Sequence, residues 1–144
     1  LIENQKVDKD IDINKVFIPS NYLISPFNST EKFLENEYFL TTDQQNIKNN
    51  ILEKFLKENN TVFCISANAG TGKTLLIYDI AKSLMSESYN TLLIHCGKLN
   101  EGHEKLNKLN WNIHPIKDVK KNKIEELCNS ISIIIIDEAQ RIRE

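Results

Sequence analysis

Ser66-Ala67-Asn68-Ala69-Gly70-Thr71-Gly72-Lys73-Thr74 lies between the apolar run Val62-Phe63-Cys64-Ile65 and a segment with Leu75, Leu76, Ile77, Ile80, Ala81 and Leu84 at helical spacing. Strand, glycine-rich turn and helix in that order make a phosphate cradle. A helix N-terminus leaves its first amides without intrahelical partners, and the peptide dipoles add partial positive charge there. Gly70 and Gly72 permit backbone conformations and close approaches that a Cβ would forbid. Lys73 places an ammonium for the β- and γ-phosphates, and the Thr74 hydroxyl is a Mg²⁺ ligand in this pattern. The nucleotide-contacting set is then Asn68, Ala69, Gly70, Thr71, Gly72, Lys73, Thr74 and Leu75. The pattern Gly-x4-Gly-Lys-[Ser/Thr] is met except at its first position, Ala67, where a small residue suffices.

Working outward, Thr91-Leu92-Leu93-Ile94-His95 is the next strand candidate, ended by Cys96-Gly97. Strand, helix and strand form a βαβ unit and predict a parallel sheet. The second strong signal is Ile131-Ser132-Ile133-Ile134-Ile135-Ile136-Asp137-Glu138-Ala139-Gln140, whose four consecutive isoleucines read as a strand buried on both faces. Its acidic end lies where open α/β sheets bind ligands. Phosphoryl transfer needs charge neutralisation and a positioned nucleophile. Asp137 is expected to share the Mg²⁺ shell with Thr74, and Glu138 to orient or deprotonate the attacking water. Adjacent side chains on an extended backbone diverge, so one can face the metal and the other the water. Gln140 is a candidate contact to the γ-phosphate or that water, and joins Lys73 and Glu138 as a candidate catalytic residue.

The 144 residues can bury a single core. A formal charge of −2 argues against wholesale polyanion binding and leaves room for a local basic face. Cys64, Cys96 and Cys128 lack paired ligand spacing and fall in or beside apolar runs. They read as reduced, buried thiols of a cytoplasmic protein. No apolar run approaches the ~18 residues of a membrane span, and no charged-then-apolar leader opens the chain. His95, His103 and His114 share no metal spacing and read as surface or packing residues.

Residues 1 to about 30 carry Pro19 and Pro26 and no clean period, an irregular arm whose apolar residues pack on a neighbouring surface. A short helix is expected over Glu31 to Leu40. A second is expected from an N-cap at Thr42 or Asp43, through Ile47, Ile51, Leu52, Phe55 and Leu56, to Asn59-Asn60. Lys98 to Lys123 holds seven lysines, with a helix over about 101 to 109, an extended piece around Asn112 to Ile116 and a helix from Val119 to Cys128. Trp111 reads as a packing residue.

Ala67 to Thr74 resembles a Walker A motif, and Ile133 to Gln140 a Walker B of the Asp-Glu-Ala-Gln type found in superfamily 1 helicases. Leu40-Thr41-Thr42-Asp43-Gln44 is similar to the Q motif of those enzymes, which implies that Gln44 reads the adenine edge and favours ATP. The whole pattern is most similar to a schlafen-like group of bacterial helicase-related ATPases. The implied fold is α/β, a P-loop NTPase of RecA-like type with a parallel sheet flanked by helices. Residues 1 to 39 form an arm or packing segment, and residues 40 to 144 the N-terminal portion of the ATPase domain. In this class the strand of the next motif lies between the Walker A and Walker B strands and comes later in the chain. The sheet is therefore expected to be incomplete here, with the remainder of the domain beyond residue 144.

Three functions fit these residues. The first is an ATP- and Mg²⁺-dependent motor acting on nucleic acid, single-stranded in this class, with the Lys98 to Lys123 segment as a contact; a solvated lysine-rich surface is the alternative for that segment. The second is an ATP-driven switch acting on a partner protein or a fused effector. The third is nucleotide binding without turnover.

Overall fold

The computed structural model describes residues 24–58, 61–119 and 130–142. Among the described residues three helices precede the first strand: α1 (Thr30–Leu34), α2 (Thr42–Lys57) and α3 (Lys73–Ser86). Strand β1 (Thr91–His95), helix α4 (Glu101–Lys108), strand β2 (Ile113–Pro115) and strand β3 (Ile133–Asp137) follow, with a 3₁₀ turn at Ala139–Arg141. The sheet is parallel, in the order β2-β1-β3. A parallel sheet flanked by helices is the expected α/β, RecA-like class.

The sheet's central strand is its most buried: all five residues of β1 are buried, against one in each of its neighbours. On one face Leu93 and Ile113 meet Leu75, Tyr78 and Ala81 of α3, Leu106 of α4, and Trp111. Trp111 stacks on Tyr78 with centroids 5.8 Å apart, a packing residue as its sequence context implies. The next three core residues of α3, Leu76, Ile80 and Leu84, gather Ile51, Leu52 and Phe55 of α2 together with Ile65, Ile133 and Ile135. Phe27 lies edge-on to Tyr78 and stacked on His103.

Four expectations are corrected. Val62 to Ile65 is not a sheet strand: its side chains alternate, Phe63 and Ile65 half-buried and Val62 92% exposed, but no ladder partner lies beside it among the described residues. Cys64 is consequently exposed, while Cys96 is buried; Cys128 lies outside the described residues. β3 is covered on one face only, with Ile134 and Ile136 half-exposed, because among the described residues the packed clusters reach it only on the face of Ile133 and Ile135. The first helix stops at Leu34, since Asn36 takes a φ of 62° and the chain turns there. The helix expected over Val119 to Cys128 lies outside the described residues but for Val119, as does the Asn59-Asn60 turn.

Helix α2 begins with a reciprocal cap one residue earlier than expected. Thr41 Oγ1 accepts from the Gln44 amide at 3.2 Å, and Gln44 Oε1 accepts from the Thr41 amide at 2.9 Å. A buried polar cluster then fastens α3 to the elements in front of it. Asp79 accepts a short hydrogen bond from the Tyr38 hydroxyl and holds Lys48 Nζ at 2.6 Å. Burial first, and then the Asp79 bond and charge, push the Tyr38 hydroxyl well above the usual phenol range. Lys82, one turn on, donates to the Phe33 and Leu34 carbonyls at 2.7 and 2.8 Å, capping α1. Replacing Asp79 by Ala strands a buried hydroxyl and an ammonium and should cost about 3 kcal/mol. A urea titration at pH 7 measures it, and an unchanged midpoint would contradict this account.

Candidate nucleotide site and the acidic strand end

The glycines of the loop adopt the conformations that made the motif recognisable. Gly70 and Gly72 sit at φ 78° and 77°, the left-handed region where an L side chain is strained. Gly72 is the N-cap of α3, and its carbonyl accepts from the Leu76 amide. Residues 66 to 71 are exposed, and nothing lies within 4 Å of the Cβ position of Gly70. Lys73 Nζ folds back to donate to the Ala67 and Asn68 carbonyls at 2.7 and 2.6 Å. Thr71 Oγ1 donates to Asn68 O at 2.8 Å. Thr74 is half-buried at the start of the helix, and Leu75 is buried below it.

Gln44 is joined to this loop. Its Nε2 donates to the Thr71 carbonyl at 2.9 Å, while Oε1 serves the α2 cap. The cap therefore aims the side chain at the loop, leaving one N–H and one lone pair of the amide for a further contact.

At the acidic end, Asp137 is 4% exposed and its Oδ1 accepts from the Glu138 amide at 2.9 Å. Glu138 is not extended: its φ is 56°, so the two carboxylates diverge through a left-handed turn rather than through strand alternation. A non-glycine residue there stores strain, a feature that clusters at working sites. Glu138 Oε2 pairs with Arg141 Nε at 2.6 Å, and Gln140 is exposed on the 3₁₀ turn. Helix α3 brings the two halves to one end of the sheet. Tyr78 lies one turn beyond Thr74 on the same helix face, and burial first, then the Asp137 charge, push its hydroxyl well above the usual range. Among the described residues no group of three His, Cys, Asp or Glu side chains makes a metal cage. A Mg²⁺ ion here would accordingly be held by few protein ligands plus phosphate oxygens, as that ion prefers.

His95 and His103, read from the sequence as surface or packing residues, are packing residues, and their place beside Asp137 was not legible in the sequence. Both are buried, their rings 4.6 Å apart, and His95 Nδ1 lies 3.3 Å from Asp137 Oδ2. The only signal for them was histidine ending a buried strand and histidine at the third position of a capped helix, where His103 Nδ1 accepts from the Asn100 amide.

The family model of PIF1-like helicases matches residues 39–144. The chain belongs to the PIF1-like helicase family. Searches among curated proteins and solved structures return no match. Membership supports a helicase-family P-loop NTPase, with ATP-dependent action on nucleic acid as the general class of activity.

Two predictions follow from this geometry. A Cβ on Gly72 would meet Gln44 Nε2 at 2.6 Å and would also have to adopt φ 77°. Gly72→Ala should therefore destabilise by about 1–2 kcal/mol, and adding Gln44→Ala should recover only the steric part, read from a double-mutant cycle in urea. The second concerns His103, whose pKa burial and the neighbouring His95 lower to about 4 against a smaller opposing pull from Asp137. Between pH 6.5 and 4 the unfolded chain takes up a proton that the folded chain refuses. The stability held above pH 6.5 should thus fall on acidification by on the order of 3 kcal/mol. His103→Gln, which preserves the cap, should flatten that part of the pH–stability profile.

Proposed function

We propose that this chain is the nucleotide-binding part of an ATP-driven motor acting on nucleic acid. The observation that carries it is the left-handed Gly70 and Gly72 turn at the start of α3, the helix that packs on β1 and on β3, the strand that ends in Asp137. In this reading residues 67 to 74 are a Walker A loop, and Ile133 to Gln140 is a Walker B of the Asp-Glu-Ala-Gln type. The amides of residues 68 to 75 hold the phosphates, and Lys73 exchanges its two loop carbonyls for β- and γ-phosphate oxygens. Thr74 and Asp137 hold Mg²⁺, which supplies charge neutralisation on the phosphates. Glu138, released from Arg141, orients the attacking water and accepts its proton. Gln140 contacts the water or the γ-phosphate. Gln44 offers its remaining amide hydrogen-bonding capacity to the adenine edge, so that base recognition and loop geometry are linked through Thr71.

A groove of about 400 Å³ at the C-terminal ends of β1 and β2 supports the nucleic-acid half of the proposal. It is lined by Gly97, Lys98, Leu99, Pro115, Ile116 and Lys117, and begins one residue from the strand that faces Asp137. Two lysines flanking an apolar floor suit a sugar-phosphate backbone. The outer edge of β3, unpaired among the described residues, suits a further strand of the ATPase domain.

In the full-length protein, single-stranded DNA should stimulate ATP hydrolysis, with binding that weakens steeply as salt rises. Lys73→Ala should abolish ATP binding by calorimetry, and Glu138→Gln should retain binding and lose turnover. ATP affinity unchanged in Lys73→Ala would overturn the nucleotide site. Turnover indifferent to nucleic acid would overturn the motor.

A further inference from the structure

His95 and Asp137 are Cα partners in the parallel ladder, so their side chains leave the same face of the sheet. Both are buried, at 7% and 4% exposure. The Asp137 carboxylate is fixed at one oxygen by the Glu138 amide. Among the described residues its other oxygen, Oδ2, makes no hydrogen bond, and the group facing it is His95 Nδ1 at 3.3 Å, itself without a hydrogen-bond partner there. A buried carboxylate oxygen without a donor is costly, and the imidazole stands where one small rotation supplies it.

The opposite edge of the ring is constrained as well. A Cβ on Gly97 would lie 2.7 Å from His95 Nε2 and 2.8 Å from Glu138 Oε2. The imidazole and the Glu138 carboxylate therefore converge on the space that glycine leaves. Phe27 lies edge-on to the ring at 5.9 Å and His103 lies at 4.6 Å, so the arm and α4 wall it in.

We propose that His95 is a positioning residue for the acidic strand end: Nδ1 holds Asp137 in its metal-facing orientation, and the glycine at position 97 lets the same ring stand beside Glu138. The proposal rests on the reading of Asp137 as the Mg²⁺ carboxylate. Groups that hydrogen-bond a metal-binding side chain set its orientation, and their loss weakens metal binding.

The test uses the full-length protein with a non-hydrolysable ATP analogue and Mn²⁺ as the probe, free Mn²⁺ being read by electron paramagnetic resonance. Metal-free affinity for the analogue is measured in parallel. His95→Leu should weaken Mn²⁺ binding by about 10- to 100-fold and leave metal-free analogue binding unchanged. His95→Asn, which keeps an N–H donor near the Nδ1 position, should restore affinity to within about threefold of the parent. If His95→Leu loses its cooperative melt, His95→Gln, whose donor is displaced toward Nε2, takes its place with the same expected loss. Parental Mn²⁺ affinity in His95→Leu or its substitute, or an Asn variant as weak as Leu, overturns the proposal. Asp137→Asn separates the two levels: if it too binds Mn²⁺ like the parent, the metal role of Asp137 is wrong, whereas a loss there beside an unaffected His95 variant overturns only the positioning role.

Discussion

Asp79 is a buried carboxylate near the middle of α3, and its partners come from the two segments that precede the phosphate loop. The Tyr38 hydroxyl arrives from the turn after α1 and Lys48 from α2. A charge in that position is tolerable only because it is paired and hydrogen-bonded. The pairing gives α3 a fixed orientation against α2, and the N-terminus of α3 is where the left-handed Gly72 starts the phosphate cradle. One residue earlier, Tyr78 faces the other way, into the sheet, where it stacks on Trp111 and lies in the field of Asp137. Two adjacent side chains thus tie the loop to the helices on one side and to the acidic strand end on the other.

The site combines strain and slack in different places. Glu138 is held at a positive φ by the turn that follows β3, and Asp137 is buried with one oxygen bound to the Glu138 amide. The loop side chains are differently placed: Lys73 donates to two loop carbonyls, and Gln44 to a third. A phosphate would take these donors more strongly, because an anionic oxygen is a better acceptor than a neutral peptide carbonyl. A firm acidic end facing a loop with exchangeable contacts suits a protein whose family couples nucleotide to nucleic acid.

Local sequence was enough to specify the helix-spaced apolar face of α3, the positions of β1 and β3, and Gly70 and Gly72 as residues free to take conformations that a Cβ would forbid. Each of these follows from a short run: period 3.6, a five-residue apolar strand, or a Cβ that would clash. The acidic pair after four isoleucines was equally visible, because charge ending a buried strand has few structural reasons to exist. The family match over residues 39–144 agrees with that reading at the level of a helicase-family P-loop NTPase.

What only the tertiary structure decided was which runs have neighbours. Val62 to Ile65 is as apolar as β1, yet it lies outside the sheet and exposes Val62 and Cys64, and Ile134 and Ile136 remain half-exposed on β3. Hydrophobicity records a side chain's preference for burial; it carries no record of whether a strand or helix arrives to bury it. His95 makes the same point at the site. As a residue in sequence it ends a strand, and only the register of β1 on β3 sets it opposite Asp137, in the gap that Gly97 leaves. The glycine-rich turn before α3 was legible in nine adjacent residues, because its geometry is made of backbone. The surroundings of Asp137 were decided by packing, because the groups that hold it are far apart in the chain.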